Sequence, residues 1–140
     1  MAAVTGPSRH ERLDVVQSHR DSHGVVLVLY GDLDAGTALK LEQAAAQLFN
    51  TAYPPEVLFL DLSGLSFLSV GGARAILAVH ESAGMSRVRV VTGDRPAVRE
   101  FLHATRFDAV LDCYRTRMGA IAAGSRSEFM SRVKTIWEAG

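Results

Sequence analysis

The sequence predicts a single α/β domain built on a mixed sheet of about five strands, and three observations carry that prediction. From Val57 onward, short apolar stretches alternate with stretches of helical period, in the order strand, helix, strand, helix, strand. Two more strand-like stretches precede them, separated by a polar segment that can turn, which adds a hairpin at one side of the sheet. The 140 residues, 48% hydrophobic and 21% charged, suffice for one packed core and are few for two.

Met1 to Arg12 mix Gly, Pro, Ser and charge without period, so little apolar area offsets their ordering, and they read as a flexible tail. Leu13 to Gln17 and Val25 to Tyr30 read as the hairpin strands, with Ser18 to Gly24 as the turn. Leu41, Ala44, Ala45 and Leu48 then share one helical face, giving a first helix from about Thr37 to Phe49. Pro54 and Pro55 stop it, and Val57 to Leu60 is a continuous apolar run suited to a central strand covered on both faces.

A second helix carries Ala73, Ile76, Leu77 and His80 on one stripe and closes at Gly84. Arg87 to Val91 is the next strand. Pro96 suits the first position of a third helix with Val98, Phe101 and Leu102 inward, and Val110 to Tyr114 is the last strand. Right-handed crossovers then set the last three strands parallel. Beyond them, Met118 to Ala122 has weak helical character. A stronger amphipathic stretch follows, with Phe129, Met130, Val133, Ile136 and Trp137 on one face, which either caps the domain's own sheet or joins a homodimer.

Charge and cysteine usage narrow the function. Fifteen basic and 15 acidic side chains cancel, so the footprint of a direct nucleic-acid or anionic-membrane binder is missing. No stretch approaches the roughly 20 apolar residues of a membrane helix, and the first residues lack the apolar segment of a secretory signal. Cys113 is the only cysteine, which excludes an internal disulfide and a cysteine zinc cluster. Among His10, His19, His23, His80 and His103 no helical pair has zinc-site spacing. These features predict a cytoplasmic protein without metal or other cofactor.

The segment LFLDLSGLSFLSVGGARAILAVHESAG, Leu58 to Gly84, holds most of the functional information, because a buried strand, a short loop and a helix start follow closely. Ser69 suits the N-cap, which makes Val70, Gly71 and Gly72 the first helical positions. Glycine costs about 1 kcal/mol relative to Ala inside a helix, so two in the first turn point to close backbone approach or to a surface that stays flat. The bare turn also exposes N–H groups that suit a partner's carboxylate or a phosphate. The plainer alternative is a helix start packed on a neighbouring loop, and both stay open at this point.

This stretch resembles the anti-anti-sigma branch of the STAS family, whose signature is an apolar strand, an Asp-Leu-Ser-like loop, then Phe-(Leu/Met/Ile)-Asp-Ser-Ser-Gly opening a helix. Leu58 to Leu60 match the strand, Asp61, Leu62 and Ser63 the loop, and Phe67, Leu68 and Gly72 the signature. Gly31, Leu33 and Asp34 resemble the family's Gly-x-Leu-Asp turn. The resemblance covers residues 13–114 and implies a STAS-like mixed sheet with helices packed mainly on one face; the C-terminal helical extension over 115–140 is longer than the family core requires. Arg106 stands where many members carry Gly before the last strand.

The resemblance also implies a function: a cytoplasmic bacterial regulator of transcription in stress response, not an enzyme, that docks on an anti-sigma factor or related kinase-type regulator. Its partner-binding surface would comprise Asp34, Ser66, Phe67, Ser69, Val70, Gly71, Gly72 and Ala73. In the family the kinase phosphorylates the serine at the helix start and thereby ends the complex. The family's Asp falls here on Ser69, its first Ser on Val70 and its phosphoacceptor on Gly71, which has no hydroxyl. Ser69 and Ser66 are the displaced hydroxyls, and capping by Ser69 weighs against its use.

Two other readings compete. Val25 to Thr37 resembles the strand-then-Asp-x-Asp opening of haloacid-dehalogenase phosphatases, with Asp32 as nucleophile and Asp34 as acid/base. Thr37, however, follows Asp34 by three residues where that family has two, and no late acidic pair is present to hold magnesium. The second is a nucleotide-binding STAS module without catalysis, against which stands the lack of a phosphate-binding Gly-Lys-Ser/Thr loop.

Overall fold

The computed structural model describes residues 12–20 and 24–123. Its elements are β1 (Leu13–Arg20), β2 (Gly24–Leu33), α1 (Ala38–Phe49), β3 (Val57–Leu68), α2 (Val70–Glu81), β4 (Arg87–Val91), α3 (Pro96–Ala104), a short 3-10 turn (Phe107–Ala109) and β5 (Asp112–Tyr114). Residues 117–123 are helical. The amphipathic stretch from Phe129 to Trp137, and with it the homodimer expectation, lies outside the described residues, as does the tail before Arg12.

Among the described residues the five strands lie in sequence order across the sheet. β1 pairs antiparallel with β2, and the β2–β3, β3–β4 and β4–β5 pairs are parallel, as the hairpin and the three strand–helix–strand units through α1, α2 and α3 require. Alternation along the strands sorts the side chains by face. Val25, Leu27, Leu29, Leu58, Leu60, Val88 and Val90 join the main core, together with Leu41 and Leu48 of α1, Ile76 and Val79 of α2, and Val98 and Leu102 of α3. On the other face Val26, Val28, Phe59 and Val91 pack with Ala120 of the 117–123 helix. The three long helices therefore share one face, and the start of the C-terminal extension covers the other.

Three boundaries differ from the sequence reading. The β1 strand runs past Gln17 to Arg20 because a register shift between Gln17 and His19 lets the ladder continue to Arg20↔Val25. The motif Asp61-Leu62-Ser63 is strand, not loop: β3 continues to Leu68 beside a β2 that continues to Leu33, through irregularities at Val28/Tyr30 and Gly31/Asp32. Those offsets keep Leu62, Leu65 and Leu68 buried although they recur every three residues, where a regular strand alternates every two. Residues 107–109 form the 3-10 turn, which leaves only Asp112–Tyr114 for the last strand.

Candidate functional site

The long β2–β3 pair decides where α2 begins. Leu33 and Leu68 are register partners at its end, and the Ser69 N–H donates to the Leu33 carbonyl at 3.1 Å. Ser69 is extended, with φ −104° and ψ 173°, and its hydroxyl oxygen accepts from the Gly72 N–H at 3.1 Å while its carbonyl accepts from Ala73 at 2.9 Å. It is the N-cap that the sequence places there.

The β2–α1 loop closes over this start. Asp34 is its brace: Oδ1 accepts from the N–H groups of Gly36 at 2.8 Å and Thr37 at 3.1 Å, and Oδ2 lies 2.7 Å from Arg12 Nη1. The second Arg12 amine reaches Oδ1 at 3.2 Å, which completes a two-point guanidinium–carboxylate contact. So held, the loop lies against α2. A Cβ on Gly71 would stand 2.8 Å from Ala35 Cβ and 3.0 Å from Ala35 N, and one on Gly72 would stand 2.2 Å from the Leu33 carbonyl oxygen.

These distances decide between the alternatives left open above. The two glycines are there because backbone approaches backbone, and the first turn of α2 is packed on its neighbour. Two expected surface residues are thereby corrected: Gly72 and Ala73 are buried and present nothing to a partner. A third, Asp34, keeps its carboxylate inside its own loop and the Arg12 contact.

What this corner does expose is apolar. Phe67 is 53% exposed and Val70 43%, with Ser66 exposed and Ser69 and Gly71 half-buried around them. Large apolar side chains held in solvent on rigid elements are what a protein partner anchors on. One residue was missed: Tyr30, 48% exposed, lies over Gly64, where a Cβ would stand 2.6 Å from its ring. Its signal was the break from aliphatic to aromatic at the end of Val25 to Tyr30.

Asp61 is buried, its side chain 4% exposed, on the face opposite α1–α3. Its Oδ1 accepts from the Ser63 N–H at 2.9 Å and its Oδ2 from Arg117 Nε at 2.6 Å. Burial pushes its pKa up, but the Ser63 hydrogen bonds and the Arg117 guanidinium outweigh that and hold it below the usual carboxylate range. Asp61 thus ties the 117–123 helix to the sheet. Asp34 is engaged as described, and among the described residues no group of three His, Cys, Asp or Glu could hold a metal. Burial, then Asp108 and Asp112, raises the half-buried Cys113 thiol to about 11, which disfavours the reactive thiolate. Among the described residues no helix is long and apolar enough to cross a membrane.

Comparison with known proteins agrees with this fold. The family model described as Mlab, STAS domain matches residues 16–112. An anti-sigma factor antagonist from Mycobacterium paratuberculosis is similar at 29% identity and a TM-score of 0.70, over 86% of this chain and 97% of that one. The anti-sigma factor antagonist SpoIIAA in its unphosphorylated form superposes with a TM-score of 0.61 at 16% identity, over 80% and 96%. A point variant of RsbS from Moorella thermoacetica gives 0.61 at 15%, over 86% and 98%. At these lower identities the likeness is one of fold. No curated protein sequence matches the chain.

Proposed function

The chain belongs to the STAS-domain family, and from that premise we propose that it is a regulatory binding module that docks on an anti-sigma factor or related kinase-type regulator in the cytoplasm without being phosphorylated at position 71. The observation that carries the reading is the packing at Gly71. The position has no hydroxyl, and a Cβ there would already stand 2.8 Å from Ala35. SpoIIAA is known in phosphorylated and unphosphorylated forms, so a protein of this fold can carry the modification. Here the place at the helix start is taken by a neighbouring loop.

Docking does not need that serine. Phe67 and Val70 supply apolar anchors, Ser66 and Ser69 supply rim hydroxyls, and Tyr30 extends the same end of the β2–β3 pair. A phosphate of about −2 charge beside such a surface opposes docking, so a module without the acceptor stays competent to bind. Control would then come from the partner's abundance or conformation.

A binding titration with the kinase-type regulator recovered on the protein tests this. Phe67→Ala and Val70→Asp should each weaken the complex at least about tenfold, the scale of a buried interface anchor, and leave the thermal midpoint nearly unchanged. Unchanged affinity in both variants would rule out the surface. ATP should leave the complex intact, and stoichiometric phosphate on Ser66 or Ser69 would overturn the phosphorylation-independent mode.

A further inference from the structure

A cavity of about 190 Å³ opens between the ends of β4 and β5 and the helix α3, with none of the proposed docking residues in its lining. In an open α/β sheet ligands collect at the carboxyl ends of the strands, where the connections diverge. Leu102 and Cys113 supply apolar wall, and the polar wall is Thr92 after β4, Arg99 on α3 and Arg115 after β5.

Arg99 marks the cavity as more than a packing gap. Its Nε is fully enclosed and has no hydrogen-bond partner, and among the described residues it forms no ion pair. A buried donor with nothing to donate to is rare in folded proteins and asks for an occupant. Arg115 lies at the rim, more than half exposed, with Nε 2.9 Å from Asp94 Oδ1. The one acid on the wall, Asp108, has its Oδ2 3.0 Å from His103 Nδ1.

We propose that this cavity binds a small oxyanion, a phosphate or carboxylate group, between the Arg99 and Arg115 guanidiniums. Planar guanidinium forks match the oxygens of such groups. The volume falls below the roughly 300–1,000 Å³ of whole small-molecule sites, so it admits a terminal group and not a nucleotide. The occupant is either a free anion or the charged end of a larger molecule whose remainder stays outside.

Nuclear magnetic resonance titration of the full chain with sodium phosphate, phenyl phosphate and sodium acetate, against sodium chloride at matched ionic strength, tests the site. Saturable amide shifts are expected at Thr92, Gly93 and residues 113–115, with affinity reduced at least about tenfold in Arg99→Gln and in Arg115→Gln. Arg115 is exposed, so its variant keeps the test valid if Arg99→Gln does not fold. Tighter binding of phenyl phosphate than of inorganic phosphate identifies the end of a larger ligand, the reverse order identifies the free ion, and binding of acetate extends the site to carboxylates. Shifts equal to those with chloride, no saturation at these residues, or undiminished affinity in the folded variants would overturn it.

Discussion

Replacing Gly72 by Ala should destabilise the protein although Ala is the better helix former. Helix propensity favours the change by about 1 kcal/mol. Against it, the new Cβ would lie 2.2 Å from the Leu33 carbonyl oxygen and 2.6 Å from the Leu33 carbonyl carbon, both backbone atoms of a central strand pair. Reaching ordinary contact means moving one backbone past the other by about 1 Å, and overpacking of this kind costs about 1–3 kcal/mol. The same oxygen accepts the Ser69 N–H at 3.1 Å, and weakening that bond costs about 1 kcal/mol more. The balance is a loss of about 2 kcal/mol, or a fall of about 6–10 °C in thermal midpoint for a domain of this size. Calorimetry of wild type and variant reads it directly. Gly71→Ala is the internal comparison: its Cβ would stand 2.8 Å from Ala35 Cβ and 3.0 Å from Ala35 N in the braced loop, a milder overlap than at Gly72, so it should also lose stability but by less than Gly72→Ala. A midpoint for Gly72→Ala equal to or above that of wild type would refute the packed helix start.

Arg106 has φ 65°, the left-handed region that costs a side-chain-bearing residue about 1–2 kcal/mol, so Arg106→Gly should raise the unfolding free energy from urea titration by a net of about 0.5–1 kcal/mol after glycine's own entropy is subtracted. Asp61 has a folded pKa below its unfolded value, so its stabilisation is present above about pH 4 and disappears as the pH falls through the folded pKa. Asp61→Asn should therefore lose about 2 kcal/mol at neutral pH and show a shallower acid limb in stability against pH, and an unchanged limb would contradict the assignment. Cys113, raised to about 11, should resist alkylation at pH 8 in the folded protein and react promptly in denaturant; equal rates in both states would contradict its burial.

The order of strands and helices was legible because each element carries its own period, and the Ser69 cap was legible because hydroxyl capping is a local matter. The reach of β3 to Leu68 was not. Ladder irregularities restore the inward position of Leu62, Leu65 and Leu68, and such offsets exist only in the pairing with β2. The glycine pair was legible as a signal and ambiguous in meaning, since the atoms that demand it, at Leu33 and Ala35, stand more than 30 positions away in sequence. Arg106 illustrates the opposite limit: it stands where many members carry Gly, and its backbone has a conformation that favours glycine, which no local pattern in the sequence announces. Asp34 was legible as a turn residue from the Gly-x-Leu-Asp pattern, whereas its donors Arg12, Gly36 and Thr37 come together only in the folded loop.

The central claim is that the module binds its regulator without a phosphate switch at the start of α2. Its most direct test is the intact mass of the protein recovered in complex with the regulator before and after incubation with ATP. An unmodified chain that stays in the complex throughout is the predicted result. Release of the chain carrying one added phosphoryl group would contradict it.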